Sequence, residues 1–584
     1  MTLRIDPRNT PAVPTTPAAP APTQTPLVRN CGTPVPSSFQ PGGAPSNVLT
    51  GASASGGAQP NLSPTAAVSL DLSTPEAQTV IQRTISQLNA RRGAGTNNEF
   101  SAKDVTVDAY GMTHLRLDRT HEGTKVFGEQ VVATLTKDGK LSSVFGDEGA
   151  ISVAADRTAT ITAEQALAAA QADFGSPPEG EITNQAVLVK NADGEYVHAF
   201  HVELTNLSEG EPRRQNYLVD AKSGQVMESW NQIDTFIKEE DIAAAKASGA
   251  ISEEPVPTEP PTPSSKDDTT LYSGQVEIGA TPKEDGSFSL TDQTRGQGVV
   301  TKDAQNKSTA SGATEITDNN NVWGEVTDAP RNAAAVDAQY GGQMTYDFYK
   351  QVLGRDSIDG KGEALQSNVH IRQNYVNAFW DGKTMNYGDG DGKTASVLTS
   401  LDIAGHEITH GLTQRTAGLI YRGESGGLNE AMSDIFGKGV EWMASQQNPA
   451  VKFTWGVGEA VWTPGKDGDA LRYMDDPSKD GRSFDHYSKF NNQDVHYSSG
   501  IANNAFVLLA QGGTNKTSGL EVKDGIGMEA SLKIFGRALT TYMTPSTTFS
   551  QARAATLQAA TDMFGADSAE VAKVMEVWTA VGVE

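Results

Sequence analysis

The alternation of hydrophobic and polar residues changes character several times along this chain, and each change suggests a boundary. The first seventy residues show no period. Thirteen of the 28 prolines lie there among Ala, Thr, Ser and Gly, and such a composition predicts a disordered segment. At Ser73-Thr-Pro75-Glu76 a capping box with Pro in the first turn predicts a helix start, and Ile81, Ile85 and Leu88 then fall on one face. Strand-like alternation follows at Val105-Thr-Val107 and from Val131 to Leu135. A second capping box, Thr162-Ala-Glu-Gln165, opens an Ala-rich helix, and strands end within the stretch from Tyr217 to Val226. Five prolines between Glu254 and Pro263 predict an extended, exposed spacer that a protease could reach. Beyond it, Leu271 to Ile278 and Gly286 to Leu290 read as strands joined by turns. After 398 the period becomes helical, with Ala502 to Leu509 and Ala530 to Phe535 as further helices.

At 584 residues the chain is too long for one core, so several domains are expected. Its 72 acidic residues against 46 basic ones give a net charge of −26, which disfavours nucleic acid or an anionic membrane as a partner. No run of eighteen apolar residues predicts a membrane span. Cys31 is the only cysteine, so no intrachain disulfide can form. The start, Met1-Thr-Leu-Arg-Ile-Asp-Pro7, lacks the apolar core of a signal peptide.

The chemistry concentrates at His406-Glu-Ile-Thr-His410. On a helix, residues four apart stack on one face, so both imidazoles can reach one Zn²⁺, with Glu407 beside them to act as general base on a water. A catalytic zinc needs a third protein ligand from a second element. Asn429-Glu-Ala-Met-Ser-Asp434 offers it: Glu430 and Asp434 are also four apart, Glu430 as ligand and Asp434 as acceptor from a ligand imidazole. Taken alone, those two acids would read as a solvated helix face.

Several separate segments in the same order resemble the thermolysin family of secreted zinc endopeptidases. They are Asp402 to Thr413, Ala417 to Tyr421 and Glu424 to Phe436, with outlying Asn377-Ala-Phe-Trp380, Tyr387 to Gly392, Leu471-Arg-Tyr-Met-Asp475 and Asp494 to Gly500. The resemblance covers about 270 to 584. It implies that His406, His410 and Glu430 hold one catalytic Zn²⁺ while Glu407 moves the proton. Tyr421 and His496 would donate to the developing oxyanion, with Asp494 orienting His496. Arg472 would hold a substrate carbonyl, and Asn377 and Ala378 would pair with an extended peptide. Asn429 and Asp434 would support the zinc ligands, and Ile403 and Leu471 would line an apolar pocket, so that cleavage falls before bulky hydrophobic residues. Structural Ca²⁺ is implied at Asp402, Glu441 and Glu459. Ala450 departs from that pattern, since an Asp would be expected after Asn448-Pro449, and the segment before Glu459 carries an insertion. Asp389 and Asp391 read as a turn, and His370, His486, His114, His121, His198 and His201 as structural.

The stretch from Gly111 to Gly128 resembles a fungalysin/thermolysin-type propeptide, and the unit from Thr162 to Val226 a PepSY domain. The expected architecture is therefore an α+β multidomain chain: a two-lobed peptidase, with a mainly β first lobe, a mainly α second lobe and the zinc helix between them, preceded by α+β propeptide domains. Its divisions are 1–70 disordered, 71–150 propeptide, 155–232 PepSY-like, 233–268 linker with a processing region, 269–405 first lobe and 406–584 helical lobe. Gly405 and Gly411 are candidate hinges. The resemblance implies a zymogen that is secreted to the extracellular space and acts as a monomer on protein and peptide substrates, with its own propeptide as inhibitor and folding aid.

Overall fold

The computed structural model describes residues 67–92, 99–147, 149–151, 153, 159–191, 193–233, 235–256, 268–324 and 331–584. The proline-rich start lies almost wholly outside the described residues, as do positions 257–267 of the expected linker.

The amino-terminal half is built on one mixed sheet of nine strands: β1 Val68–Ser69, β2 Glu99–Val107, β3 Thr113–His121, β4 Thr124–Leu135, β5 Leu141–Gly146, β6 Glu179–Lys190, β7 Tyr196–Asn206, β8 Arg213–Asp220 and β9 Val226–Asn231. Strand β4 joins its two parts. The first residues of β4 run parallel to β6, Lys125 opposite Val187, while its last residues pair antiparallel with β5, Val131 opposite Gly146. Helix α1, Pro75–Arg92, buries Ile81 and Leu88 against Val105, Leu115, Leu117 and Val131. Its cap differs from the expected one. Thr74, not Ser73, accepts from the Ala77 N–H, and Ser73 instead bonds Asp71, because the helix starts only at Pro75. Helix α2, Ala163–Phe174, has the expected reciprocal box between Thr162 and Gln165 and buries Ala166, Ala170 and Phe174 on Val202, Tyr217 and Val219.

Ile233 and residues 235–256 depart from the expected linker. Ile233, Phe236 and Ile237 are buried, helix α3 spans Glu239–Ser248, and Phe236, Ile237, Ala245 and Ala250 belong to the core of the carboxy-terminal half. Val256 N–H then bonds the Gly392 carbonyl at 2.7 Å. Apolar side chains at these positions bury surface that a solvated tether would leave exposed.

The first lobe of the carboxy-terminal half holds a six-stranded sheet, in which Val299–Asp303 and Leu365–Val369 pair in parallel, packed on helix α4, Asn332–Gln351. The strands expected over 271–278 and 286–290 shrink to Gln275–Val276 and Phe288–Ser289. The second lobe is helical: α5 Leu401–Arg415, α6 Gly423–Gln447, α7 Val495–Ser498, α8 Gly500–Gln511, α9 Met528–Arg537, α10 Phe549–Phe564 and α11 Ala569–Ala580.

Helices α5 and α6 meet backbone to backbone. A Cβ on Gly405 would come within 2.9 Å of Gly437 Cα, and one on Gly437 within 2.4 Å of the Asp402 carbonyl oxygen. A glycine inside a helix costs roughly 1 kcal/mol relative to Ala, and here that cost permits the close approach that brings Glu430 to the histidines. Gly411 lies equally close to Trp380 and Ile358. Close packing is thus the physical reason for both glycines that were candidate hinges.

The two halves dock over the cleft. Arg116 donates to the Met543 carbonyl at 2.8 Å, Arg537 pairs with Asp108 at 2.7 Å, and Tyr421 and Val495 share an apolar cluster with Val187, Leu218 and Trp230. No helix among the described residues is long and apolar enough to cross a membrane.

Candidate metal centre and cleft

His406 and His410 project from one face of α5, and their Nε2 atoms lie 3.1 Å apart. From α6 comes the Glu430 carboxylate, 3.3 Å from His410 Nε2 and 3.6 Å from His406 Nε2. A tetrahedral ion with bonds of about 2.0–2.1 Å separates its donors by roughly 3.3–3.4 Å, so the three atoms fit zinc. The other ring nitrogens fix the tautomers. His406 Nδ1 is 2.9 Å from Asp434 Oδ1, and His410 Nδ1 is 2.9 Å from Asn429 Oδ1, while Asn429 Nδ2 donates to the Leu419 carbonyl. An ionised carboxylate and an amide oxygen only accept, so both Nδ1 atoms carry the proton and both Nε2 lone pairs face the gap. Asp434 is fully buried. Burial opposes its ionisation, but the charge of Arg472 and the hydrogen bond from His406 outweigh that and hold the carboxyl below its ordinary range.

Glu407 is 1% exposed in the turn between the two histidines. Across the gap stand Tyr421, before α6, and His496, in α7. The Tyr421 hydroxyl donates to Glu430 Oε1 at 2.9 Å and lies 3.3 Å from His496 Nε2. Asp494 caps α7 by accepting from the His496 N–H, and its Oδ1 also lies 2.5 Å from His496 Nδ1. Burial raises the Asp494 carboxyl, but the adjacent imidazole lowers it further, leaving it below the usual range.

One wall of the cleft is already occupied by the chain itself. Phe236 N–H donates to the Ala378 carbonyl at 3.1 Å, and Arg472 Nη1 donates to the Phe236 carbonyl at 3.3 Å. Ile237 N–H donates to Asn377 Oδ1 at 2.8 Å, and Asn377 Nδ2 donates to the Ile237 carbonyl at 2.7 Å. The Phe236 ring is edge-on to His406 with centroids 5.1 Å apart, lies 5.0 Å from the Arg472 guanidinium, and faces Gly458, where an added Cβ would be 3.2 Å away. Ile403 and Leu471 are buried in the same apolar core. Beside His410 and Tyr421 remains a cavity of about 190 Å³, with Glu203, Arg214 and Gln232 of the amino-terminal half on its lining.

A second, acidic group draws on the same two helices and on the turn that holds Glu459. Asp402, Glu441 and Glu459 bring carboxylate oxygens within 4.8 Å of one another. Between them sits the ammonium of Lys438, whose side chain is fully buried. It contacts Glu441, lies 3.1 Å from Glu459 and is 3.9 Å from Asp402. Burial disfavours the charged lysine, but Glu441, Glu459 and Asp402 more than reverse this and raise its pKa. Glu441 is also raised, by burial foremost, since several acids share one ammonium.

Sequence reasoning missed four contributors. Asn503, on α8, donates to Asp434 Oδ2 at 2.9 Å; a polar residue in an otherwise apolar helix was the available signal. Lys438 is four residues from Asp434, the spacing that singled out Glu430 and Asp434. Phe236 and Ile237 carried only the sign of two apolar residues in a supposed linker. The remaining histidines have structural surroundings: His370 Nδ1 lies 2.6 Å from Asp389, His114 bridges Asp108 and Thr134, and His201 lies 2.6 Å from Asn216. Asp391 accepts from the N–H groups of Lys393 and Thr394, forming the expected turn.

Two imidazoles and a carboxylate converging at the floor of a cleft between a strand-bearing and a helical lobe define a metallopeptidase. Comparison with known proteins agrees. The thermolysin metallopeptidase catalytic domain matches residues 265–414 and its alpha-helical domain residues 417–583. The fungalysin/thermolysin propeptide motif matches 98–147, and the peptidase propeptide and YPEB domain matches 160–230. The chain is similar to a bacillolysin of Bacillus cereus, at 40% identity over 518 residues, 85% of this chain and 88% of that protein. It is likewise similar to a thermolysin of Bacillus sp. (strain EA1), at 40% identity over 520 residues, 84% of this chain and 87% of that one. Among solved structures, the precursor of protealysin, a metalloproteinase from Serratia proteamaculans, matches at 30% identity and a TM-score of 0.41, covering 49% of this chain and 87% of that one.

The chain belongs to the thermolysin metallopeptidase family. It is a metalloendopeptidase with a propeptide ahead of its catalytic domain.

Proposed function

We propose that this enzyme is a zinc endopeptidase kept as a zymogen, which hydrolyses protein and peptide substrates on the amino side of bulky apolar residues. The observation that carries the reading is the convergence of His406, His410 and Glu430 opposite Tyr421 and His496. Zinc held by those three residues supplies a Lewis acid and lowers the pKa of a water. Glu407, buried beside them, takes a proton from the attacking water and delivers it to the leaving amine. Tyr421 and His496 donate to the carbonyl oxygen as it gains charge, and Asp494 fixes the imidazole and favours its protonated form. Arg472 and Asn377, with the carbonyl of Ala378, hold an extended peptide in strand fashion. Ile403 and Leu471 shape the apolar pocket, which discriminates by only about 1–3 kcal/mol per methylene and so admits a broad range of residues. Asp434 and Asn429 keep both ligand imidazoles in the metal-binding tautomer.

For calcium, the reading turns on Lys438. Its ammonium lies among Asp402, Glu441 and Glu459, the residues that the family resemblance assigns to Ca²⁺. We infer that it stands in for the ion, a buried cation supplied by the chain. The amino-terminal half, docked over the cleft, acts as an intramolecular inhibitor, which suits an enzyme released from the cell before it is activated. We assign the mature form to the extracellular space as a monomer. Casein hydrolysis by matured enzyme should stop in a zinc chelator and return with added Zn²⁺. Undiminished hydrolysis after the metal has been removed would reject the zinc reading.

A further inference from the structure

We propose that Asn503 is a positioning residue for the peptidase reaction: through the Asp434 carboxylate it sets both the hold of His406 on the metal and the aim of Arg472 at substrate. The inference rests on the zinc endopeptidase reading above and adds to it a residue that acts only through another.

Asp434 is shared between the metal side and the substrate side. Its Oδ1 lies 2.9 Å from His406 Nδ1 and accepts from Arg472 Nη2 at 2.7 Å, while its Oδ2 accepts from Arg472 Nε at 3.1 Å and from Asn503 Nδ2 at 2.9 Å. A carboxylate offers about four lone-pair sites, so Asn503 supplies the last donor and completes the set that fixes the group. Without it, Oδ2 keeps one partner against two on Oδ1, and any turn of the carboxylate moves both dependents. His406 then loses the acceptor that keeps its Nε2 lone pair on the metal side. Arg472, whose Nη1 donates at 3.3 Å to the Phe236 carbonyl in the cleft, changes its aim at the same time.

Nothing else in the fold accounts for an amide at this place. Helix α8 is buried from Gly500 to Ala510, and Asn503 is 2% exposed within it. Because its Nδ2 is committed to a carboxylate that only accepts, its Oδ1 is left buried without a hydrogen-bond partner. An unsatisfied buried oxygen destabilises the fold, and a leucine would remove it. The adjacent Asn504 is different: its Nδ2 donates to the Met474 and Asp475 carbonyls and its Oδ1 accepts from Asn515, so both ends hold loops in place. Asn503 also links the metal side to the oxyanion side. The Ser499 N–H reaches the Val495 carbonyl and the Asn503 N–H the Ser499 carbonyl, each at 3.0 Å, so α7 runs on into α8. His496 and Asn503 are seven residues apart, and thus on one side of that run.

The test is zinc binding by purified full-length protein, measured by competition with a chromophoric chelator and so independent of turnover, alongside peptide hydrolysis by matured enzyme in saturating Zn²⁺. Asn503→Leu should raise the zinc dissociation constant by about 10- to 100-fold. It should also raise KM with a smaller change in kcat, as weakened substrate holding does. In an Asp434→Asn background the same substitution should shift the zinc dissociation constant by less than about twofold, because the path runs through that carboxylate. Should the leucine variant not fold, Asn503→Ala removes the same donor and carries the same expectations. Wild-type zinc affinity in the folded variant, or a loss as large in the Asp434→Asn background as outside it, would overturn the positioning role and leave the endopeptidase reading standing. Wild-type protein that binds no zinc would overturn both.

Discussion

Helices α5 and α6 carry one triad of potential metal ligands and two members of a second, which Glu459 completes from a turn beyond α6, and the two have opposite fates. At one level His406, His410 and Glu430 converge with their lone pairs directed inwards and their outer atoms fixed by Asp434 and Asn429. One turn away, Asp402, Glu441 and Glu459 also converge, within 4.8 Å of one another, but the gap is filled by Lys438. Imidazole can be neutral and present a lone pair, whereas three carboxylates brought together out of water need a cation at once. In this chain the cation for the second triad is covalently attached. Proximity of ligand types therefore does not make a metal site; the charge already present among them decides whether an ion is needed.

The sharpest way to break the comparison is at the first triad. Glu407→Gln should leave zinc content by atomic absorption unchanged while lowering turnover by about 10²- to 10⁴-fold or more; full activity would remove Glu407 as the base. Next in size is Lys438→Ala. Removing one partner of a buried ionic group costs about 3–5 kcal/mol, so calorimetry should show a strongly lowered Tm that millimolar Ca²⁺ partly restores. A variant whose Tm responds to Ca²⁺ no more than wild type does would end the idea of an internal cation surrogate.

His496→Ala should lower kcat by about 10²- to 10³-fold, as loss of one oxyanion donor does, with the Tm nearly unchanged. An unaltered kcat would eliminate that role. The smallest effect concerns docking of the amino-terminal half. Burial raises the Asp108 carboxyl, but His114 and Arg537 outweigh it and bring it from 3.8 down to about 2. A depressed carboxyl contributes stability that is complete above its unfolded pKa and lost as pH falls through its folded value. Denaturation midpoints of the precursor should therefore fall between about pH 4 and pH 2 in wild type, and less steeply in Asp108→Asn. Parallel curves would show that the ion pair with Arg537 does not hold the halves together.

Much of the candidate site was legible because its signals are local. Residues four apart on a helix face the same way whatever surrounds them, so His406 with His410 and Glu430 with Asp434 could be paired on paper, and the Thr162 and Gln165 capping box likewise needs only one helical turn. The two-lobed division followed from the change of period near 398 and from motifs recurring in family order. What only the tertiary structure decided involves residues far apart in sequence: Phe236 in the cleft, Asn503 on Asp434, and Lys438 facing Asp402 and Glu459. Periodicity sets which side of a helix a residue occupies, but not what stands opposite, and that was determined by the backbone contact at Gly405 and Gly437 and by the packing of Phe236, Ile237, Ala245 and Ala250 into the catalytic half.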